Sequence, residues 1–214
     1  MMKTGLQNFI LVSLLFHAGI AAAMSPGAAL KKLNNKYKDV KTMRVEFREV
    51  FEWGLTGETN IRFGEILVTS DNRFRIDTVD LLIVCDGTDV YRYNRTRGQV
   101  IIEKTGADDS QLLPHRILLE FARDFEARSL TELAVEDRNG FRLDMTAKDS
   151  EASLMASAVI WATSEDFVVH RLKMVDLNSN STTYYLSKIE FDKPVEISET
   201  TFSTPENVEI FDLR

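Results

Sequence analysis

The chain has 214 residues, of which 44% are hydrophobic and 28% are charged, and its formal net charge is −7. This composition is that of a globular protein and excludes a disordered or fibrous chain. The negative charge argues against a protein that binds nucleic-acid phosphates. The single cysteine, Cys85, excludes an internal disulfide framework and a cysteine-rich zinc site. A length below about 250 residues favours one domain.

The N-terminal residues have the pattern of a secretory signal peptide. Lys3 supplies a positive charge, residues 9–16 form an apolar stretch, and residues 20–23 offer a small-residue cleavage site. The apolar stretch is shorter than a comfortable membrane span, so an uncleaved anchor is the less favoured alternative. We therefore expect residues 1–23 to be removed and residues 24–214 to form a single domain in the periplasm.

The next segment predicts one amphipathic helix. Ser25 is a suitable N-cap, and Pro26 suits the first helical turn. Four apolar residues then recur at helical spacing and predict a buried face. They are Ala29, Leu30, Leu33 and Tyr37.

From Met43 onward the pattern alternates between apolar and polar residues, which is typical of antiparallel strands with one buried face. We expect Met43, Val45, Phe47 and Phe51 on one face of the first strand and the charged residues between them on the other. Within the return strand we interpret Gly64 as a β-bulge.

Two dipeptides predict hairpin turns, Asp86 with Gly87 and Asn139 with Gly140. Between them, apolar residues return to helical spacing and predict a second helix. The whole pattern amounts to about eleven strands and two helices. It predicts a mainly β (α+β) fold, with one strongly curved antiparallel sheet, or unclosed β-barrel, covered by helices that act as a lid. The predicted lid residues are Leu113, Ile117, Leu118 and Phe121.

The sequence carries none of the motifs that place a nucleophile beside its base, bind a catalytic metal or cradle a phosphate. The histidines outside the signal peptide, His115 and His170, are far apart in the chain, and we expect His170 to face solvent. We expect Cys85 to be a small buried hydrophobic residue. No enzymatic activity, metal, cofactor or nucleic-acid partner is therefore expected.

Apolar side chains are more numerous on the predicted strands than a thin sheet needs. They could line a cavity for a hydrophobic ligand, or they could form a packed core beneath the helices. The candidate cavity residues are Val45, Phe47, Ile61, Phe63, Phe74, Ile76, Leu82, Tyr91, Tyr93, Met145, Trp161, Leu172 and Met174.

Four stretches of the sequence resemble a known family in the order in which they occur. Residues 82–94 contain an Asp-Gly turn followed by alternating aromatic residues, residues 43–50 and 63–76 form the preceding strands, and residues 202–208 read F-x-x-P-x-x-V. This combination resembles the LolA-type carriers of outer-membrane lipoproteins in the periplasm.

The resemblance implies an unclosed sheet whose covered face accepts the acyl chains of lipoproteins. It also implies a monomer that receives its cargo from an inner-membrane release complex and delivers it to an outer-membrane acceptor. In that family an Arg latches the lid, whereas Ser70 stands at the corresponding position here, with Arg73 and Arg75 nearby. Two alternatives stay open: a carrier of another amphiphile, such as a glycolipid or lipid, and a lipoprotein-sensing interaction module on the same fold.

Overall fold

The computed structural model describes residues 24–105, 124–149 and 153–214. The predicted signal peptide, His115 and the four predicted lid residues lie outside these ranges. The described part contains one α-helix, α1 (Pro26–Lys38), and a short 3-10 helix (Ile197–Thr200). The strands are β1 (Thr42–Glu52), β2 (Thr59–Thr69), β3 (Phe74–Thr78), β4 (Leu81–Cys85), β5 (Asp89–Asn94), β6 (Gln99–Lys104), β7 (Phe125–Val135), β8 (Arg138–Ala147), β9 (Met155–Thr163), β10 (Val169–Asp176), β11 (Ser181–Phe191) and β12 (Glu209–Asp212).

All of these strands belong to one open sheet. Their order is β12-β6-β5-β4-β3-β2-β1-β11-β10-β9-β8-β7, so β6 and β7 follow one another in the chain but lie near opposite ends of the sheet. Only the β12–β6 pair is parallel among the described pairs. The predicted mainly β, unclosed architecture is confirmed. The count of about eleven strands is corrected to twelve in the described residues, which contain one α-helix, and the second predicted helix lies outside them.

Helix α1 begins as its sequence predicts. The hydroxyl of Ser25 accepts a hydrogen bond from the backbone N–H of Ala28, and Pro26 occupies the first turn, where a missing N–H costs nothing. Lys36 and Lys38 lie in the last turn, where the helix dipole favours positive charge. The four residues predicted to be buried are buried. Within the described residues no helix has the length and hydropathy that a membrane span requires.

Tyr37 fixes α1 to the sheet. Its hydroxyl accepts a 2.9 Å hydrogen bond from the backbone N–H of Val169, at the start of β10. Its ring contacts that of Phe191 edge-on, with the ring centroids 5.8 Å apart. Burial raises the pKa of Tyr37, so the phenol stays neutral in this position. The face of the sheet that carries Phe191 is therefore the face against which the helix packs.

The sheet consequently has two distinct faces. In β1, Met43, Val45 and Phe47 point towards α1 and are buried; we call their side of the sheet the α1 face. Arg44, Glu46, Arg48 and their cross-strand partners point the other way, onto what we call the opposite face. The alternation predicted for the first strand is confirmed.

Gly64 is not a bulge. It lies in regular register between Phe47 of β1 and Thr78 of β3. The Phe47 ring packs over it, since a Cβ placed on Gly64 would fall 2.9 Å from ring atom Cε1. The register shift of β1 instead occurs against β11, between Arg44 and Glu46, beside Lys188 with its positive φ of 46°.

Asn139 and Gly140 do not form the second predicted turn. The turn between β7 and β8 consists of Glu136 and Asp137, whose φ angles of 48° and 57° are both positive, as a two-residue hairpin requires. Gly140 lies inside β8, where a Cβ would fall 2.6 Å from Cγ2 of Val135. Glycine is therefore required at this position because a side chain would collide with Val135. The predicted turn at Asp86 and Gly87 is confirmed, and Gly87 has a φ of 99°.

We expect Gly64→Ala to destabilise the protein by about 1–3 kcal/mol, because the added methyl group has to displace the Phe47 ring and the backbone of β3. Gly27→Ala is the matched control. Gly27 lies in α1 with no atom near its Cβ position, so alanine should be neutral or stabilise by up to about 1 kcal/mol. Denaturant unfolding measures both. Equal stability of the two variants would contradict the packing of Phe47 on Gly64.

Candidate functional site: the apolar α1 face

The α1 face carries one contiguous cluster of buried apolar side chains that crosses most of the sheet. Cys85 belongs to this cluster and is fully buried, which confirms its predicted character. The strand residues of the cluster are Met43, Val45, Phe47, Ile66, Val68, Phe74, Cys85, Val90, Phe125, Phe141, Leu143, Met145, Ala158, Ile160, Ala162, Val169, Leu172, Met174 and Leu186.

Charged pairs lie at two margins of the α1 face. Glu49 and Arg62, paired across β1 and β2, approach to 3.7 Å. Tyr184 is opposite Glu49 on β11; burial, together with the charge of Glu49, raises the pKa of its phenol. On the far side of the face, Arg92 and Glu103 form a 2.9 Å ion pair between β5 and β6. The apolar surface is thus flanked by groups that prefer water.

Seven of the thirteen predicted cavity residues lie on the α1 face, as their cross-strand pairing shows. Ile76 is half-buried and the other six are buried. These seven are Val45, Phe47, Phe74, Ile76, Met145, Leu172 and Met174.

The other six lie on the opposite face, so the thirteen residues do not line a single cavity. They are Ile61, Phe63, Leu82, Tyr91, Tyr93 and Trp161. Ile61 and Phe63 illustrate the cause. A bulge at Gly64 would have brought them to the same side as Ile66 and Val68, but β2 is regular, and the two-residue period places them on the other side.

Leu82 was predicted to line the cavity, but its neighbour Ile83 is the residue that lies on the α1 face. On the α1 face Ile83 lies opposite Ile76, whereas Leu82 lies opposite Asp77. The segment from Leu81 to Cys85 is apolar throughout, so no alternation indicates which residues point to which side. Counting residues back from the confirmed turn at Asp86 and Gly87 would have shown which residues of this segment lie on which face.

Tyr91 is covered by the C-terminal strap, by which we mean residues 192–208. Its ring stacks on Phe202 of the strap, with centroids 5.0 Å apart and planes 13° apart. Arg44 of β1 reaches the strap through an ion pair with Glu199, and it also pairs with Glu65 at 2.6 Å. Part of the opposite face is therefore covered by the chain itself.

The two arginines near Ser70 have described partners outside the predicted lid. The guanidinium of Arg73 donates to the Thr200 hydroxyl at 3.0 Å and pairs with Asp71 at 2.9 Å. Arg75 pairs with Asp77 at 2.7 Å. Arg73 thus holds the strap, and the predicted lid lies outside the described residues.

His170 does not face solvent as expected. It is half-buried, and burial lowers the pKa of its imidazole below the usual value. In the described ranges no group of three or more His, Cys, Asp or Glu side chains is arranged to hold a metal ion.

Residues 38–203 match the family model of the outer membrane lipoprotein carrier protein LolA. The chain belongs to this family. The LolA family is a family of lipoprotein carriers, and its model covers β1 to β11 and most of the strap. The resemblance stated from the four sequence stretches is confirmed.

The similarities to individual proteins are distant in sequence. The chain is 24% identical over 153 residues to the uncharacterized protein MJ0687 of Methanocaldococcus jannaschii; the match covers 70% of this chain and 45% of that protein, so the chain spans about half its length. An uncharacterized conserved protein from Thermus thermophilus shares the fold with a TM-score of 0.54 at 9% identity, over 86% of this chain and 96% of its own. The LolA superfamily protein NE2245 from Nitrosomonas europaea gives a TM-score of 0.43 at 10% identity, over 84% and 99%.

We expect Glu199→Gln to lower the melting temperature at neutral pH and to have a smaller effect at acid pH, below the lowered pKa of the Glu199 carboxyl. The backbone N–H of Glu196 and the guanidinium of Arg44 hold the pKa of the Glu199 carboxyl below its usual value. Such a group stabilises the fold at neutral pH, and its contribution is lost as the pH falls through the lowered pKa. The pair is partly exposed, so the effect should be below about 1 kcal/mol.

The control for this variant is Glu206→Gln, which alters an exposed glutamate of the same strap. Thermal unfolding should show no difference from the wild-type protein at either pH. A Glu199→Gln effect of equal size at both pH values would contradict the role of its charge.

Proposed function

We propose that this protein is a periplasmic carrier that holds the acyl chains of lipoproteins against the α1 face and moves them from the inner to the outer membrane. One observation carries the proposal: a broad apolar face on an open sheet, flanked by the Glu49–Arg62 and Arg92–Glu103 pairs, in a chain of the LolA family. Such a face offers acyl chains a water-free environment and keeps polar groups at the margin. Among the described residues, no group of three or more His, Cys, Asp or Glu side chains is arranged to hold a metal ion.

The energetics suit a carrier that must also release its cargo. Burying one CH₂ group contributes about 0.8 kcal/mol, so half of a sixteen-carbon chain contributes about 6 kcal/mol. Ile76 and Ile83 are only half-buried and lie opposite one another, so an acyl chain can contact them without displacing the fully buried side chains. We place the first contact of the chain there.

The location and the partners are part of the same proposal. The pattern of residues 1–23 supports export through a cleaved signal peptide. The formal net charge of −7 weakens binding to anionic membrane surfaces, which suits a shuttle between two membranes. We propose an inner-membrane release complex as the donor, an outer-membrane acceptor as the recipient, and a monomer as the carrier.

Binding of a triacylated lipopeptide tests the proposal. We expect saturable binding of one lipopeptide per protein, weakened about tenfold or more by Ile76→Asp, because a carboxylate on the α1 face opposes burial of an acyl chain. Ile61→Asp is the matched control. Ile61 is 53% exposed and lies on the opposite face, so its replacement should leave the affinity unchanged within about twofold. Isothermal titration measures both affinities.

Three further results decide the interpretation. The same peptide without acyl chains should not bind, and Ile83→Ser provides a second α1-face variant if Ile76→Asp does not fold. Preferential binding of a glycolipid or phospholipid over the lipopeptide would replace lipoproteins by another amphiphile as the cargo. Equal losses in Ile76→Asp and Ile61→Asp would overturn the assignment of the acyl chains to the α1 face.

A further inference from the structure

A row of alternating cationic and aromatic side chains crosses the opposite face, away from α1. The row consists of Arg48 on β1, Tyr185 on β11, Arg171 on β10, Trp161 on β9 and Arg142 on β8, each opposite the next in the strand register. The guanidinium carbon of Arg48 lies 3.8 Å from the centroid of the Tyr185 ring, and that of Arg171 lies 3.9 Å from the Trp161 ring. We call these five residues the Arg–aromatic row.

A groove of about 910 Å³ runs along most of this row. Arg48, Tyr185, Arg171 and Trp161 line it, and Arg142 does not. Its volume falls in the range of about 300–1,000 Å³ that is typical of small-molecule sites.

The groove also offers unused apolar surface. Phe63 is 60% exposed and Val79 is 91% exposed, and both line it. Large apolar side chains that remain this exposed within a concave site are typical of ligand-binding grooves.

The acidic side chains of the groove are mostly neutralised. Glu46 pairs with Lys188 at 2.8 Å and Glu65 with Arg44 at 2.6 Å. Asp77 pairs with both Arg75 and Arg95, each at 2.7 Å. Among the described lining residues, only the carboxylate of Glu136, in the β7–β8 turn, makes no ion pair.

Arg48 and Arg171, by contrast, form no ion pair with any residue in the described ranges. The Nε atom of Arg171 and the neighbouring Nε2 atom of His170, both buried, have no hydrogen-bond partner there. Buried polar atoms of folded proteins nearly always have partners. Stacking on aromatic rings compensates only part of the cost of burying a guanidinium, so the groove retains a preference for an anion.

We propose that this groove binds a small amphiphile with an anionic carboxylate or phosphate head. The oxyanion contacts the guanidinium edges of Arg48 and Arg171, and the apolar part of the ligand lies over Phe63 and Val79. Guanidinium groups recognise both head groups through the same paired N–H donors. The site is on the face of the sheet opposite the proposed acyl site, and it does not rest on the carrier function.

Fluorescence of Trp161 tests the site directly, because the chain has two tryptophans and Trp53→Phe leaves Trp161 as the only one. Hexyl phosphate is the probe, with inorganic phosphate and hexanol as its separate halves. We expect saturable binding of hexyl phosphate, binding of inorganic phosphate that is about tenfold weaker, and no response to hexanol.

Arginine variants in the Trp53→Phe protein locate the anion. We expect Arg48→Gln and Arg171→Gln each to weaken hexyl phosphate binding about tenfold. Arg142→Gln is the matched control, because Arg142 belongs to the same row, lies over the same Trp161 ring and does not line the groove. Its affinity should match that of the Trp53→Phe parent. If Arg171→Gln fails to fold, Phe63→Ser at an exposed position serves instead and should reduce hexyl phosphate affinity to that of inorganic phosphate.

Several outcomes would overturn the proposal. If hexyl phosphate does not bind, or if all three arginine variants lose affinity equally, the groove is not the proposed binding site. Equal affinities for inorganic and hexyl phosphate would show that Phe63 and Val79 do not contact the apolar part of the ligand. A response only to phosphatidylglycerol vesicles would assign the row to a membrane surface instead of a single molecule.

Discussion

The two-residue period of the β-strand is the constraint on which the whole molecule depends. In a single sheet of twelve strands, the cross-strand register assigns every side chain to one face, and a slip of one residue would exchange the faces. Strands β1 and β2 pair in regular register with Gly64 beneath the Phe47 ring, and the shift beside Lys188 affects the β1–β11 pair. The apolar α1 face and the cationic row opposite exist because this register is kept.

The two faces are covered by different parts of the chain. Helix α1, held by the hydrogen bond between Tyr37 and Val169, packs on one face, and the C-terminal strap crosses part of the other. Arg44 and Arg73 hold the strap through Glu199 and Thr200, and Phe202 of the strap stacks on Tyr91. Among the described residues, the α1 face keeps the half-buried Ile76 and Ile83, and the opposite face keeps the guanidinium groups of Arg48 and Arg171, which form no ion pair with those residues.

The sequence was sufficient for the elements whose signals are local. Ser25 and Pro26 predict α1, and the alternation from Met43 predicts both faces of β1. It was insufficient where a side chain's position depends on a distant partner. The segment from Leu81 to Cys85 is uniformly apolar, so its sequence does not show which residues lie on which face. Gly140 is needed because Val135 packs against it, and it does not form a turn. For the same reason the sequence could not separate the thirteen apolar candidates into two faces.

We propose that acyl chains lie on the α1 face. The most direct test is photo-crosslinking with a lipopeptide that carries a diazirine on one acyl chain, followed by peptide mapping of the modified residues. We expect crosslinks at Ile76, Ile83 and their neighbours on the α1 face, and we expect unlabelled lipopeptide to compete them away. Crosslinks concentrated at Phe63 and Tyr93, on the opposite face, would contradict it.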